Sequence, residues 1–370
     1  MIPIEIRPRP GRGAKTAALA IPVFLLLFAS GCSRNSERFR FVFMTDIHLE
    51  STATAVTGFE AAISAVNALH PDFVVTGGDL VADALEQKKA RADSLYDLYI
   101  EKCGLFQMPV YNTIGNHEHF GVYSQSGISP GDPDFGKGMF RRRLGGGTTY
   151  RSFDWGTWHF ILLDGVGVTD DRNYIGRVDS AEVRWLAGDL ARLDPARNLA
   201  LVTHIPLLTV STQFREGVLK PNNPWLVVSN GDTVLHLLQS HRLRLVLQGH
   251  LHLVEKIRWR DTLIITAGAV SGAWWNGPFE GFDPGFAVFD VNGDRISWWF
   301  KKLQTPVVAL PLSTPHVLVQ TLAGFRFRRR TVQFDPRFLL HLAQRLPGRA
   351  SRSSVTDLRT PPTRGTCIRL

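Results

Sequence analysis

The sequence predicts an α/β fold, on three observations. From residue 39 the 370-residue chain alternates short apolar runs with longer stretches of helical pattern. The runs are apolar almost throughout, as expected of strands covered on both faces. Just past five of them stands an Asp, a His or an Asn, which is where open α/β sheets gather a ligand site.

In chain order the strand candidates are 40–44 (RFVFM), 72–76 (DFVVT), 109–113 (PVYNT), 158–163 (WHFILL), 199–203 (LALVT), 243–248 (LRLVLQ), 262–266 (TLIIT) and 286–291 (FAVFDV). Helix candidates lie between them at about 57–69, 80–102, 180–193 and 231–240. The stretch 80–102 sets Leu80, Leu85, Leu95 and Leu98 among alternating charges, the pattern of a surface helix with one apolar face.

Ahead of this region Arg7, Arg9, Arg12 and Lys15 precede a charge-free run, TAALAIPVFLLLFAS, at 16–30. The run is short for a spanning helix and fits a signal-peptide core. It ends in FASGC, which resembles a bacterial lipoprotein signal, with Ala29 where Leu is usual. Residues 1–32 are therefore read as a signal peptide, cleaved before Cys32, which takes the lipid. The protein is then exported and held on the membrane by that anchor, facing the periplasm or cell exterior. Residues 33–38 (SRNSER) read as a solvated tether and 39–303 as the folded domain.

The formal charge is +9, but from residue 310 onward there are eleven Arg, no Lys and two acids, Asp335 and Asp357. The surplus is a basic tail, 304–370, expected to be largely disordered. The rest is about neutral and gives no argument for a nucleic-acid partner. Cys32, Cys103 and Cys367 form neither a disulfide framework nor a C-x-x-C pair, so thiolate metal chemistry is not expected.

The polar residues past the strands fall in five motifs: DIH at 46–48, GGD at 77–79, GNHE at 115–118, TH at 203–204 and GHLH at 249–252. Asp79, Asn116 and His250 each follow a glycine, which permits tight turns and close backbone approach. If the chain stays extended past Gly249, His250 and His252 point to one side. Carboxylate and imidazole without thiolate suit hard and borderline divalent metals. Taken singly, each residue has an ordinary reading: an Asp capping a helix, a satisfied core histidine. The ordered set points to a metal site instead.

Together the five motifs resemble the calcineurin-like metallophosphoesterase family, over about residues 39–303. The resemblance implies a four-layer αββα sandwich of two mixed β-sheets with a two-metal site at the strand ends. It implies that Asp46, His48, Asp79 and His252 hold one metal. Asp79 bridges to the second, held also by Asn116, His204 and His250. His117 is then the non-ligand acid that protonates the leaving oxygen. Glu118 stands where the family often has Asp, and Asp83, the counterpart of a second aspartate, receives no ligand role. The implied cofactors are two divalent or trivalent ions, Mn, Zn or Fe. The implied reaction is hydrolysis of a phosphate-ester substrate by a metal-bridging hydroxide, with monoester or diester left open. Two anionic ligands against two such ions leave the centre net positive, which draws in phosphate.

Further out, 119–150 reads as a flap or surface loop, and His119 as a loop histidine. Arg142 in the run 141–143, and Trp274 and Trp275 in SGAWWNGP, are candidate substrate contacts. Their ordinary readings are a solvated charge run and core packing. The alternative for the whole chain is a catalytically decayed phosphoesterase fold serving as a binding or scaffold protein. The filling of all seven ligand positions speaks against it.

Overall fold

Thirteen short strands and six α-helices follow one another along residues 38–304, the part that the computed structural model describes. The strands are β1 Arg38–Met44, β2 Phe73–Thr76, β3 Val110–Tyr111, β4 Arg151–Trp155, β5 Trp158–Leu162, β6 Val166–Val168, β7 Tyr174–Gly176, β8 Asn198–Val202, β9 Arg242–Gln248, β10 Glu255–Trp259, β11 Thr262–Thr266, β12 Gly285–Asn292 and β13 Arg295–Lys302. The helices are α1 Ala53–Asn67, α2 Lys89–Cys103, α3 Gly138–Arg143, α4 Ser180–Leu190, α5 Ser211–Glu216 and α6 Gly231–Leu238. The signal segment with Cys32, most of the tether and the basic tail lie outside the described residues. Arg38, read as the end of the tether, already pairs with Asn292 in β1. Among the described residues no helix is long and apolar enough to cross a membrane.

Two sheets form. One has the order β13-β12-β1-β2-β3, the other β10-β11-β9-β8-β5-β4, and β6 and β7 make a separate hairpin. In the first sheet β1, β2 and β3 run parallel and β12 and β13 pair antiparallel; in the second the centre β11-β9-β8-β5 is parallel and the outer β10 and β4 are antiparallel. Both sheets are therefore mixed, and β2, β5 and β8 are buried along their whole length.

Three apolar layers separate four structural ones. Phe59, Ile63 and Val66 of α1 and Leu95, Tyr96 and Tyr99 of α2 pack on Val42, Met44 and Val74 of the first sheet. Leu186 and Leu190 of α4 and Val234 and Leu238 of α6 pack on Ile161, Leu199, Leu201 and Val246 of the second. Between the sheets lies an aromatic slab that includes Phe39, Phe41, Phe73, Trp158, Phe160 and Phe289. This is the αββα sandwich that the resemblance implied.

Local chemistry sets several boundaries. Thr52 accepts from the Ala55 amide at the start of α1, and Asp179 caps α4 through the Ala181 and Glu182 amides. The helix expected over 80–102 begins only at Lys89. Leu80 and Leu85 are buried, but not on a helix face. The backbone of 79–85 is bonded instead to 115–123, through Ala84 N to His117 O, Gly121 N to Ala84 O and Tyr123 N to Leu85 O. Those groups are unavailable to a helical ladder.

Phe41 is fully buried and stacks between Phe73 and Phe289, at ring-centroid distances of 5.2 and 4.8 Å. Replacing it by Ala is expected to cost about 3–5 kcal/mol of folding stability. Denaturant unfolding of the variant beside the parent checks this.

Candidate metal centre

The ends of β1, β2, β3, β8 and β9 open on one edge of the sandwich, and the five motifs stand there. The loops after β1 and β2 run side by side, joined by Asp46 N to Gly78 O (3.1 Å), His48 N to Asp79 O (2.9 Å) and Leu49 N to Leu80 O (3.1 Å). The loop after β11 closes on the first of these, with Val270 N to Thr45 O and Ser271 N to Asp46 O. Glycines make this spacing feasible. A Cβ on Gly115 would run into the Asp79 amide and carboxylate, and one on Gly249 into Thr45 and Asp46.

The ligand candidates are bent where an extended chain was expected. Asp46, His48, Asp79, His250 and His252 all have positive φ, between 46° and 71°. The prediction that His250 and His252 share one side of an extended strand end is therefore corrected. Each sits in the left-handed region, and their rings face different partners. The His250 Nδ1 lies 3.2 Å from the Nε2 of His204, and the His252 Nε2 lies 3.0 Å from the Nε2 of His48.

The tautomers follow from the partners on the far side of each ring. His204 Nδ1 donates to the Gly77 carbonyl (2.7 Å), His252 Nδ1 to the Gly272 carbonyl (2.7 Å) and His250 Nε2 to the Trp225 carbonyl (2.9 Å). A carbonyl only accepts, so the opposite nitrogen of each neutral ring carries a lone pair. Those lone pairs point inward, towards one another and towards carboxylates. Asp79 Oδ2 is 3.1 Å from His204 Nε2 and 3.7 Å from His48 Nε2, and Asp46 Oδ1 is 3.3 Å from His252 Nε2. Asn116 Oδ1 lies 3.0 Å from His204 Nε2. Three sets of donor atoms each lie within 4.8 Å of one another: Asp46, His48 and His252; His48, Asp79 and His117; Asp79, His204 and His250. Carbonyl-oriented imidazoles with converging lone pairs fit metal ions.

The electrostatics agree for the two carboxylates, His48 and His250, while His204 is favoured as a cation by the carboxylate beside it. Burial alone would raise Asp46, but His252 beside it brings the carboxyl down to about 2. Burial likewise opposes the Asp79 anion, and His204 and His117 override it, holding the acid well below the usual range. Burial disfavours the His204 cation, yet Asp79 drives that group up to about 9. Burial keeps His48 well below its ordinary value and takes His250 to about 4, so these two rings stay neutral and able to ligate.

His117 differs from the ring set. Its Nε2 is 3.9 Å from Asp79 Oδ2 and its Nδ1 3.7 Å from Asp83 Oδ1. Burial works against its cation, but Asp79, Asp83 and Glu118 raise it above the usual value. His119, read as a loop histidine, is fully buried, donates through Nδ1 to Gly115 O (2.9 Å), and burial lowers it to about 4.

The outer candidates part company. Trp274 lies with its ring 4.5 Å from that of His252 and 5.3 Å from that of His48. Trp275 is buried in the core between α1 and the first sheet, its indole N–H on the His48 carbonyl at 3.2 Å, so it holds a ligand loop. Arg142 spends its guanidinium on Asp134 through Nε (2.8 Å) and Nη2 (2.9 Å), and Arg143 reaches Asp93 and Asp97. Arg142 and Arg143 thus belong to an ion-pair network tied to α2.

Glu118 is the residue whose role the motif did not reveal. Its buried carboxylate accepts four backbone amides: Asp79 (2.9 Å), Leu80 (2.7 Å), Val81 (3.1 Å) and Gly115 (2.7 Å). Its own carbonyl accepts from the Tyr96 hydroxyl at 2.7 Å. Burial and then Asp79 push its acid up to about 7. Asp164, Lys137 and Glu182 make a second buried charged group, with Lys137 Nζ 2.7 Å from Asp164 and the Asp164 amide on Glu182. No motif signalled it, since its members are far apart in sequence.

The domain model described as calcineurin-like phosphoesterase matches residues 39–254, more than half of the chain. The chain belongs to the calcineurin-like phosphoesterase family. Among solved structures, a dimetal phosphatase from Danio rerio superposes with a TM-score of 0.52 at 15% identity, over 71% of this chain and 96% of that one. GAP50, the anchor in the inner membrane complex of Plasmodium, gives 0.46 at 16%, over 72% and 84%. A phosphopantetheinyl hydrolase from Mycobacterium tuberculosis gives 0.41 at 13%, over 74% and 98%. At these identities the first likeness concerns the phosphoesterase fold alone. No sequence among curated proteins matches this phosphoesterase.

Replacing Glu118 by Ala would leave four buried amides without their acceptor. The variant is expected to lose about 2 kcal/mol or more of stability. The amides of Asp79, Leu80, Val81 and Gly115 should then exchange faster relative to those of β8. Denaturant unfolding with residue-resolved hydrogen exchange reads both.

Proposed function

We propose that this protein hydrolyses a phosphate ester at a binuclear metal centre. One ion would be held by Asp46, His48, Asp79 and His252, the other by Asp79, Asn116, His204 and His250. The observation that carries the reading is the set of imidazoles whose far nitrogens are fixed by the carbonyls of Gly77, Gly272 and Trp225 while their lone pairs converge on Asp46 and Asp79. Bound Mn, Zn or Fe would supply Lewis acidity at the phosphate oxygens and acidify water.

The chain's own residues account for the rest. Thr45 Oγ1 donates to Asp46 Oδ2 (2.7 Å), and the His250 amide meets the same carboxylate at 3.0 Å. The His117 amide donates to Asp79 Oδ1 at 2.9 Å. Both carboxylates are therefore oriented before any ligand arrives, which lowers the reorganisation cost of catalysis. Hydrolysis joins a water oxygen to phosphorus as the ester oxygen departs, and that oxygen needs a proton. His117, with Asp83 Oδ1 3.7 Å from its Nδ1 and favoured as a cation by its acidic neighbours, is placed to give it.

The decisive experiment loads the protein with Mn and compares turnover of 4-nitrophenyl phosphate with that of bis-4-nitrophenyl phosphate. One of the two should turn over. Asp79→Asn should lower both metal content, by elemental analysis, and rate. His117→Asn should keep the metal while the rate falls about 10²–10⁴-fold. Full metal binding with no turnover of either ester would instead favour a scaffold.

We further propose that the protein is exported and that Cys32 carries lipid. Support comes from the basic start, the charge-free run and the FASGC ending. Radiolabelled palmitate should enter the parent and not Cys32→Ser, and label retained in the variant would refute the assignment. Arg38 begins β1 at the pole opposite the metal centre, so a short tether from Cys32 would turn that centre away from the bilayer.

A further inference from the structure

The segment between β8 and α6 is unlike the rest of the domain surface. Phe214 is 87%, Val218 82% and Leu219 94% exposed, and Leu208, Val210 and Trp225 in the same segment are partly open. Large apolar side chains gathered on a surface mark a binding site more often than chance. The segment is also ordered by its own bonds. Gln213 Nε2 donates to Lys220 O (2.7 Å), and Asn222 Nδ2 to Thr209 O (3.0 Å).

It is fastened to the metal centre on two sides. On one, the Trp225 carbonyl accepts a hydrogen bond from His250 Nε2. On the other, Arg215, next to Phe214, pairs with Glu280 at 2.6 Å, and the preceding Phe279 has its ring 5.3 Å from that of His252. Trp274 lies 5.9 Å from Phe279, and Tyr174 meets the His250 ring edge-on at 6.0 Å. The rim of the centre is therefore aromatic, and it continues outward into the exposed apolar segment.

Three nearby cations, Arg172 between β6 and β7 and Arg142 and Arg143 of the flap, are engaged elsewhere. Arg172 donates to the carbonyls of Gly121, Val122 and Ile128, while Arg142 and Arg143 are bound to aspartates. A polyphosphate would require several of them. An apolar group would not.

From this we infer that the substrate is a phosphate ester with an apolar arm, alkyl or aryl, that runs over Trp274 and Phe279 and along Phe214, Val218 and Leu219. This rests on the phosphoesterase reading and names its substrate class. The ester is taken as freely dissolved, since Arg38, through which any tether would attach, starts β1 at the strand end away from the centre.

The test uses the full mature chain with Mn. Its probes are ethyl and octyl phosphate and the matching ethyl and octyl 4-nitrophenyl diesters, all below their micelle concentrations. Burial of the added methylenes should raise kcat/KM for octyl over ethyl by at least about tenfold. The double variant F214S/L219S should lose most of that ratio, and because both side chains are almost wholly exposed the fold is not at stake. Equal turnover of ethyl and octyl esters would sink the inference and leave the phosphoesterase reading standing. Absence of turnover with every ester would remove both. A chain-length effect seen only above the micelle concentration would overturn it in favour of an interfacial loop. A concentration-dependent dimer abolished by the double variant would overturn it in favour of a second copy as occupant.

Discussion

One buried carboxylate holds the two halves of the first-sheet ligand set together. Glu118 takes the amides of Asp79, Leu80 and Val81 from the loop after β2 and that of Gly115 from the loop after β3. A charged acceptor serving several backbone donors is among the stronger arrangements available to a protein interior. It fixes where Asp79 and Asn116 stand relative to each other without touching either side chain. The cost is visible in its acid strength, displaced upward first by burial and then by the Asp79 charge. Shortening this side chain by one methylene, as in Asp, would require the two loops to approach each other to keep the same bonds.

The same lacing explains how so many strained residues persist. Five of the seven ligand candidates are left-handed non-glycine residues, a conformation that costs each of them roughly 1 kcal/mol or more. Nothing local repays this. The compensation is the ladder that continues past the strands, from Asp46 to Gly78, His48 to Asp79 and Ser271 to Asp46. Bent residues turn their side chains inward at the point where extended ones would alternate across the sheet. The strain is therefore what converges the ligands.

That geometry marks the limit of what sequence could tell. The central strands were legible because they are apolar throughout and buried on both faces. The strand β13 was not, because RISWWFKK alternates exposed and half-buried residues and carries charge at both ends. Likewise β10, EKIRW, is largely exposed on the sheet edge. The motif residues were legible as a set, since Asp, His and Asn at five strand ends have few other uses. Their backbone was not, because left-handed Asp and His look like any other Asp and His. Arg142 and Trp275 were open between two readings for a shared reason. Each has a partner, Asp134 or the core around Gly58, that only the folded chain brings near.

The centre also depends on what lies beneath it. Asp46, His48, Asp79 and Asn116 come from the first sheet, and His204, His250 and His252 from the second. No backbone hydrogen bond of the strand ladders joins the two sheets, so their separation is set by side chains. Those are mostly aromatic: Phe41 stacks on Phe73 and Phe289 in its own sheet and meets Phe160 of the other edge-on at 5.5 Å. Rigid rings in a close-packed slab transmit displacement and do not absorb it. A change of a few tenths of an ångström in the slab would appear at the strand ends as a change in the spacing of the two ligand groups. The loop bonds that bridge the seam, His250 N to Asp46 and His204 Nδ1 to Gly77, only hold their lengths if the slab keeps its thickness. The aromatic residues of β1, β2 and β5 thus belong to the metal centre as surely as the residues that line it.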